Sequence, residues 1–157
     1  MTSESARMNS AAEARFRVQA PNSLPRTIVV IALDAAGRAV VERLQRGGWR
    51  QATFLAATSG DALEDLAGRP RQIRNEVEHA DLVVLVAGPG GRAHAAAPIG
   101  EACSRRRVMT TGFLVEATSA AAPDVSRTLG QLRPWSLMVV IAEHDDYIDD
   151  MMTALRA

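Results

Sequence analysis

The chain has 157 residues and a formal net charge of zero, with 18 basic against 18 acidic side chains, so its charge balance gives no reason to expect nucleic acid or an anionic membrane as a partner. Every basic residue is arginine, which removes a phosphate-loop lysine, a Schiff-base lysine and a Ser–Lys dyad. The single cysteine, Cys103, removes an intramolecular disulfide and a cysteine-cluster zinc site, and no apolar run reaches the length of a membrane span, so a cytoplasmic protein with no membrane contact is expected.

Met1 to Pro25 mixes Ser, Ala, Glu, Arg and Asn without a convincing apolar face and closes on Pro21-Asn22-Ser23-Leu24-Pro25. It reads as a flexible N-terminal arm over 1–25, ahead of a single domain over 26–157. From Thr27 the pattern changes: Thr27 to Leu33 is β-branched and uncharged, a strand. Asp34-Ala35-Ala36-Gly37 turns the chain, and Ala36, Ala39, Val40 and Leu44 recur at helical spacing until Gly47-Gly48. Ala52 to Ala57 is the second strand, and Ala62 to Leu66 reads as a brief helical piece. After Gly68-Arg69-Pro70, the positions Ile73, Val77 and Ala80 mark one face of a helix.

Leu82 to Ala87 is six apolar residues in a row, too short for an ordinary helix and rich in Val, as in a strand buried on both faces. It breaks at Gly88-Pro89-Gly90-Gly91, and after Arg92, Ala93 and His94 an alanine run opens a helix that ends on Arg105-Arg106-Arg107. A strand, a glycine loop and a helix make a place where an open α/β sheet binds an anion, although glycine also serves tight turns that bind nothing. Val108 to Val115 is the fourth strand. Pro123-Asp124 starts a helix with Val125, Leu129 and Leu132 facing inward, Trp135 to Ala142 carries the fifth strand, and Asp145 is placed to cap a last helix.

Alternating strands and helices predict a Rossmann-like three-layer α/β fold: a five-stranded parallel sheet in the order 2-1-3-4-5 with helices on both faces. That order sets the loops at 34–38 and 88–94 side by side at the switch point, as one crevice. His79, His94 and His144 show no ligand spacing, so no metal is expected. The carboxylates around Asp145-Asp146 and Asp149-Asp150 read as a capped helix with a solvated face in preference to a cation site, and Cys103 as a small packed residue.

Three stretches in register, Ile28 to Val40, Thr53 to Leu63 and Ala80 to Ile99, followed by Arg107 to Val115 and Trp135 to Asp146, resemble the N-terminal nucleotide-binding domain of the tubulin/FtsZ family. The resemblance implies a GTP- or GDP-type pocket, or one for another phosphate-bearing ligand, with no cofactor assured. It would be lined by Asp34, Ala35, Ala36, Gly37, Arg38, Thr58, Gly88, Gly90, Gly91, Arg92 and His94. The departures are as informative. Asp34, Ala35 and Ala36 stand where the family has glycines, Ala57-Thr58-Ser59 where it has an Asn-Thr-Asp pattern, and Arg92-Ala93-His94 within its glycine-threonine loop. An aspartate at the first of these repels a phosphate at close range. The resemblance spans about Thr27 to Asp146 and does not take in the family's central helix, second domain or acidic hydrolytic loop. Polymer-driven GTP hydrolysis is therefore not expected, and no catalytic residue is assigned. The leading expectation is a degenerate, non-hydrolysing binding, regulatory or assembly module that self-associates or takes a protein partner. The alternative is a small enzyme or binding protein for GTP or another phosphate ligand in the crevice, with Arg92 and His94 supplying charge.

Overall fold

The computed structural model describes residues 24–58, 62–144 and 146–157. Most of the arm expected over 1–25 lies outside these residues, as do Ser59 to Asp61 and the expected cap Asp145.

The fold is built on two strands whose sequences are apolar at every position. β1 (Ile28–Ala32) and β5 (Leu82–Ala87) are buried throughout and pair in parallel, Ile28 beside Leu82 and Ala32 beside Val86. Alternation along each strand sends side chains to both faces. Val30 and Val84 join Val40, Val41 and Leu44 of α1 (Ala35–Gln45) and Ile148 and Met152 of α5 (Asp146–Ala154) on one face. Ile31 and Leu85 meet Val77 of α2 (Ile73–Glu78), Ile99 and Cys103 of α3 (Ala96–Arg106) and Leu132 of α4 (Ala122–Leu132) on the other. The result is a three-layer α/β fold with helices on both faces. No helix among the described residues is long and apolar enough to cross a membrane.

The expectation of five parallel strands in the order 2-1-3-4-5 is corrected in count, order and direction. Among the described residues β2 (Ala52–Ala57), β3 (Leu63–Asp65), β4 (Pro70–Arg71), β6 (Met109–Leu114) and β7 (Met138–Ile141) complete a seven-stranded sheet. Its order is β4-β3-β2-β1-β5-β6-β7, with β3 antiparallel to β2 and β4 antiparallel to β3. The stretch from β2 to β7 is parallel.

The added edge comes from the segment expected to be helical at 62–66. Ala, Leu and Glu favour a helix there, but Leu63 and Asp65 are buried while Glu64 between them is not, the period of a strand. Asp65 fixes it. Its carboxylate accepts the Ala67 amide at 3.0 Å, the Arg69 amide at 2.9 Å and Arg69 Nε at 2.8 Å, closing the turn that lays Pro70 and Arg71 alongside. The Arg69 amide is the largest influence holding this carboxyl below its ordinary value of 3.8, with burial opposing and the guanidinium and the Ala67 amide assisting. A lowered carboxyl contributes stability above 3.8 and loses it as pH falls through the lowered value. Asp65→Asn is therefore less stable than wild type at neutral pH, and urea unfolding at a series of pH values should show the gap closing as pH falls below 3.8.

Candidate functional site

The loops at 34–38 and 88–94 leave adjacent parallel strands at their C-terminal ends, where the Leu33 amide still donates to the Val86 carbonyl at 2.9 Å. They meet through one side chain. Asp34 is the N-cap of α1 in extended backbone (φ −148°, ψ −177°), and its Oδ1 accepts the Gly37 amide at 2.8 Å. The same carboxylate accepts the Gly88 amide from the neighbouring loop, 3.1 Å to Oδ1 and 2.9 Å to Oδ2. A helix N-terminus and a glycine-loop amide are the donors an open α/β sheet offers to a bound anion. Here the chain's own carboxylate accepts from both.

The glycines of the two loops are explained by this packing. A Cβ on Gly37 would run into the Val86 carbonyl, one on Gly91 into the Asp34 carboxylate, and one on Gly88 would stand 2.5 Å from the Cβ of Ala36. Gly90 has φ +74° and lies close to Asp124, whose Cγ a Cβ there would approach to 3.1 Å. The loop is thus flanked by two carboxylates.

The other donors of the glycine loop are held by α4. Thr128, fully buried, accepts the Gly90 amide at 3.0 Å and donates to the Gly88 carbonyl at 3.2 Å. Gln131 accepts the Ala93 amide at 3.2 Å and lies 3.4 Å from Nδ1 of His94. Thr128, Gln131 and Asp124 were not among the expected site residues. Nothing in a linear sequence links them to a loop some forty residues earlier.

Of the expected site residues, the structure brings Asp34, Ala36, Gly37, Gly88 and Gly91 into mutual contact. Ala35 is the exposed first residue of α1, and Arg92 and His94 are exposed at the rim of the glycine loop. Thr58 follows β2, with its amide donating to the Ala62 carbonyl at 2.8 Å. Arg38 is turned toward β3, with contacts of 2.9 Å to Glu64, 3.0 Å to Glu42 and 3.4 Å to the Leu66 carbonyl. The Glu64 and Glu42 carboxylates raise its pKa further. Cys103 packs fully buried in the core, and burial raises its thiol pKa, the opposite of an activated nucleophile. Among the described residues no group of His, Cys, Asp and Glu is arranged to hold a metal.

This geometry can be set beside known proteins. The solved structures include a match to an empty FtsZ dimer from M. jannaschii, with a TM-score of 0.52 and 13% sequence identity, covering 97% of this chain. The fold is FtsZ-like. The chain spans 57% of that FtsZ chain. No family model matches the sequence, and no curated protein does. Between α1 and the glycine loop, the position facing both amides is filled by the Asp34 carboxylate.

Burial is the largest influence on Asp34 and raises its pKa above 3.8, while the Gly37 and Gly88 amides act in the opposite direction. A raised carboxyl stabilises the fold while protonated; that contribution is full below 3.8 and is lost as pH rises through the raised value. Asp34→Asn keeps an acceptor oxygen and never ionises, so its stability relative to wild type should climb as pH rises from 3.8 toward neutral. Asp34→Ala, which also never ionises, should follow the same pH dependence relative to wild type but lie about 1–2 kcal/mol below Asp34→Asn at every pH, because it removes the cap and strands the Gly88 amide. Chemical denaturation of both variants across pH separates the two effects.

Proposed function

We propose that this chain is an FtsZ-like nucleotide fold that neither holds nor hydrolyses nucleotide, and that it works as a binding or assembly module. The observation that carries the reading is the Asp34 carboxylate on the Gly37 and Gly88 amides. A phosphate brought to the same donors would stand within about 4 Å of that carboxylate, a repulsion of about 4 kcal/mol per pair of unit charges at an effective dielectric of about 20. Asp124 beside Gly90 adds to it. Two of the nearby cations are directed to carboxylates, Arg38 to Glu42 and Glu64, and Arg127 to Asp124 at 3.6 Å, which leaves Arg92 at the rim as the cation to test. In this reading the expected crevice residues, Asp34 to Arg38, Thr58, Gly88, Gly90, Gly91, Arg92 and His94, are the remnant of a ligand site, now closed on itself.

Thermal unfolding with GTP, GDP and inorganic phosphate tests the proposal. A ligand at a hundred times its dissociation constant adds about 2.7 kcal/mol, which for a domain of this size is a rise of about 5 °C or more. The wild type should show none with any of the three. Asp34→Gly, which empties the seat and leaves both amides free, should acquire a shift with phosphate. A wild-type shift with GTP that disappears on Arg92→Ala would replace this reading with its rival, a phosphate-ligand protein using the loops at 34–38 and 88–94.

A further inference from the structure

The two edges of the sheet are unlike. β4 ends it with two residues, Pro70 and Arg71, one unable to donate a backbone hydrogen bond and the other charged, both standard protections against pairing with another strand. β7 ends it with Met138-Val139-Val140-Ile141, preceded by Leu137, and from Pro134 to Ala142 there is no charged residue. Leu137, Met138 and Ile141 are 78%, 54% and 48% exposed, and no described strand lies on the far side of β7.

The backbone of this edge is available. Ala142 donates to the Leu114 carbonyl at 2.9 Å while Leu114 sits opposite Ile141, so alternation turns the N–H and C=O of Ile141, and of Val139 two residues before it, away from β6. Charge at the two ends then selects the orientation of an incoming strand. Arg133 precedes the strand, and Glu143 and Asp146 follow it, all exposed and none in an ion pair with a described residue. A parallel neighbour of the same sequence would set like charges together. An antiparallel one sets the Arg133 end against the acidic end at both extremities.

We propose that β7 is an assembly edge whose occupant is a second copy of this chain, paired antiparallel about a two-fold axis at Val140. That register opposes Val139 to Ile141 of the partner subunit, the residues whose backbone groups face outward, so that each of the two symmetric pairs exchanges two hydrogen bonds. The sheet becomes continuous across the dimer, and the exposed Met138 and Ile141 leave water on its two faces. The inference names the partner and the surface for the assembly reading of the function and rests on it.

Sedimentation of the full chain over a wide concentration series tests it, with a reversible dimer expected for the wild type. Val139→Pro removes one outward N–H from each copy without touching a donor that faces β6, and should weaken the dimer about thirtyfold. Ile141→Lys, at an exposed position, should weaken it as well while leaving the unfolding midpoint of the monomer within a few degrees. Arg133→Glu should weaken it, and adding both Glu143→Arg and Asp146→Arg to Arg133→Glu should restore it, since the end-to-end charges are again opposite. A wild type that stays monomeric at every concentration overturns the proposal, and so does a dimer indifferent to all of these substitutions, which would use another face. Nucleotide binding in the thermal assay would remove the closed-pocket reading and leave this result standing; a strict monomer that ignores nucleotide would do the reverse.

Discussion

One carboxylate ties together the two loops that leave the central strands. Asp34 caps the helix that follows the first strand and takes the first amide beyond the central strand, so it joins β1, α1, β5 and the glycine loop at a single point. The small residues around it follow from that choice. Gly91 exists where a side chain would collide with the carboxylate, Ala36 and Gly88 where the two loops touch, and Gly37 where the helix passes over the Val86 carbonyl. Glycine-rich loops are commonly read as cradles for a ligand's phosphates. Here the same absence of side chains lets the protein close on its own anion.

Burial sets the energetic tone of this arrangement. The carboxyl is raised by desolvation even though two amides favour its charged form, so the surroundings compensate that charged form only in part. An N-cap contributes about 1 kcal/mol, and a hydrogen bond to a charged group about 1.5–3 kcal/mol, enough to keep the side chain in place. Neither is enough to tolerate a second anion on the same donors.

The parts of this fold that a linear reading recovers are those where local pattern and global environment agree. Ile28 to Ala32 and Leu82 to Ala87 are apolar without interruption because both faces of a central parallel strand are covered, and the adjacency of the 34–38 and 88–94 loops follows from those two strands. The β3–β4 edge was not legible. Three residues and two residues are too short for a period to show, and Ala62 to Leu66 has helix-forming composition; a buried aspartate accepting three hydrogen bonds overrides it. The closing of the pocket was half legible. An aspartate among expected glycines announces a conflict with phosphate, but that Thr128 and Gln131 hold the same loop from the far side is a fact of tertiary packing alone.

Those two residues also show how the crevice and the open edge are connected. α4 carries Asp124, Thr128 and Gln131 against the glycine loop, then runs through the single turn Arg133–Trp135 into the bend before β7. Trp135 is wedged on α3, where a Cβ on Gly100 would meet the tryptophan Cβ, so the helix is fixed at both ends. The Thr128 hydroxyl holds the Gly90 amide and the Gly88 carbonyl together, and the helix that carries it leads directly into the segment before β7. The glycine loop and the approach to the edge strand are consequently braced by one helix.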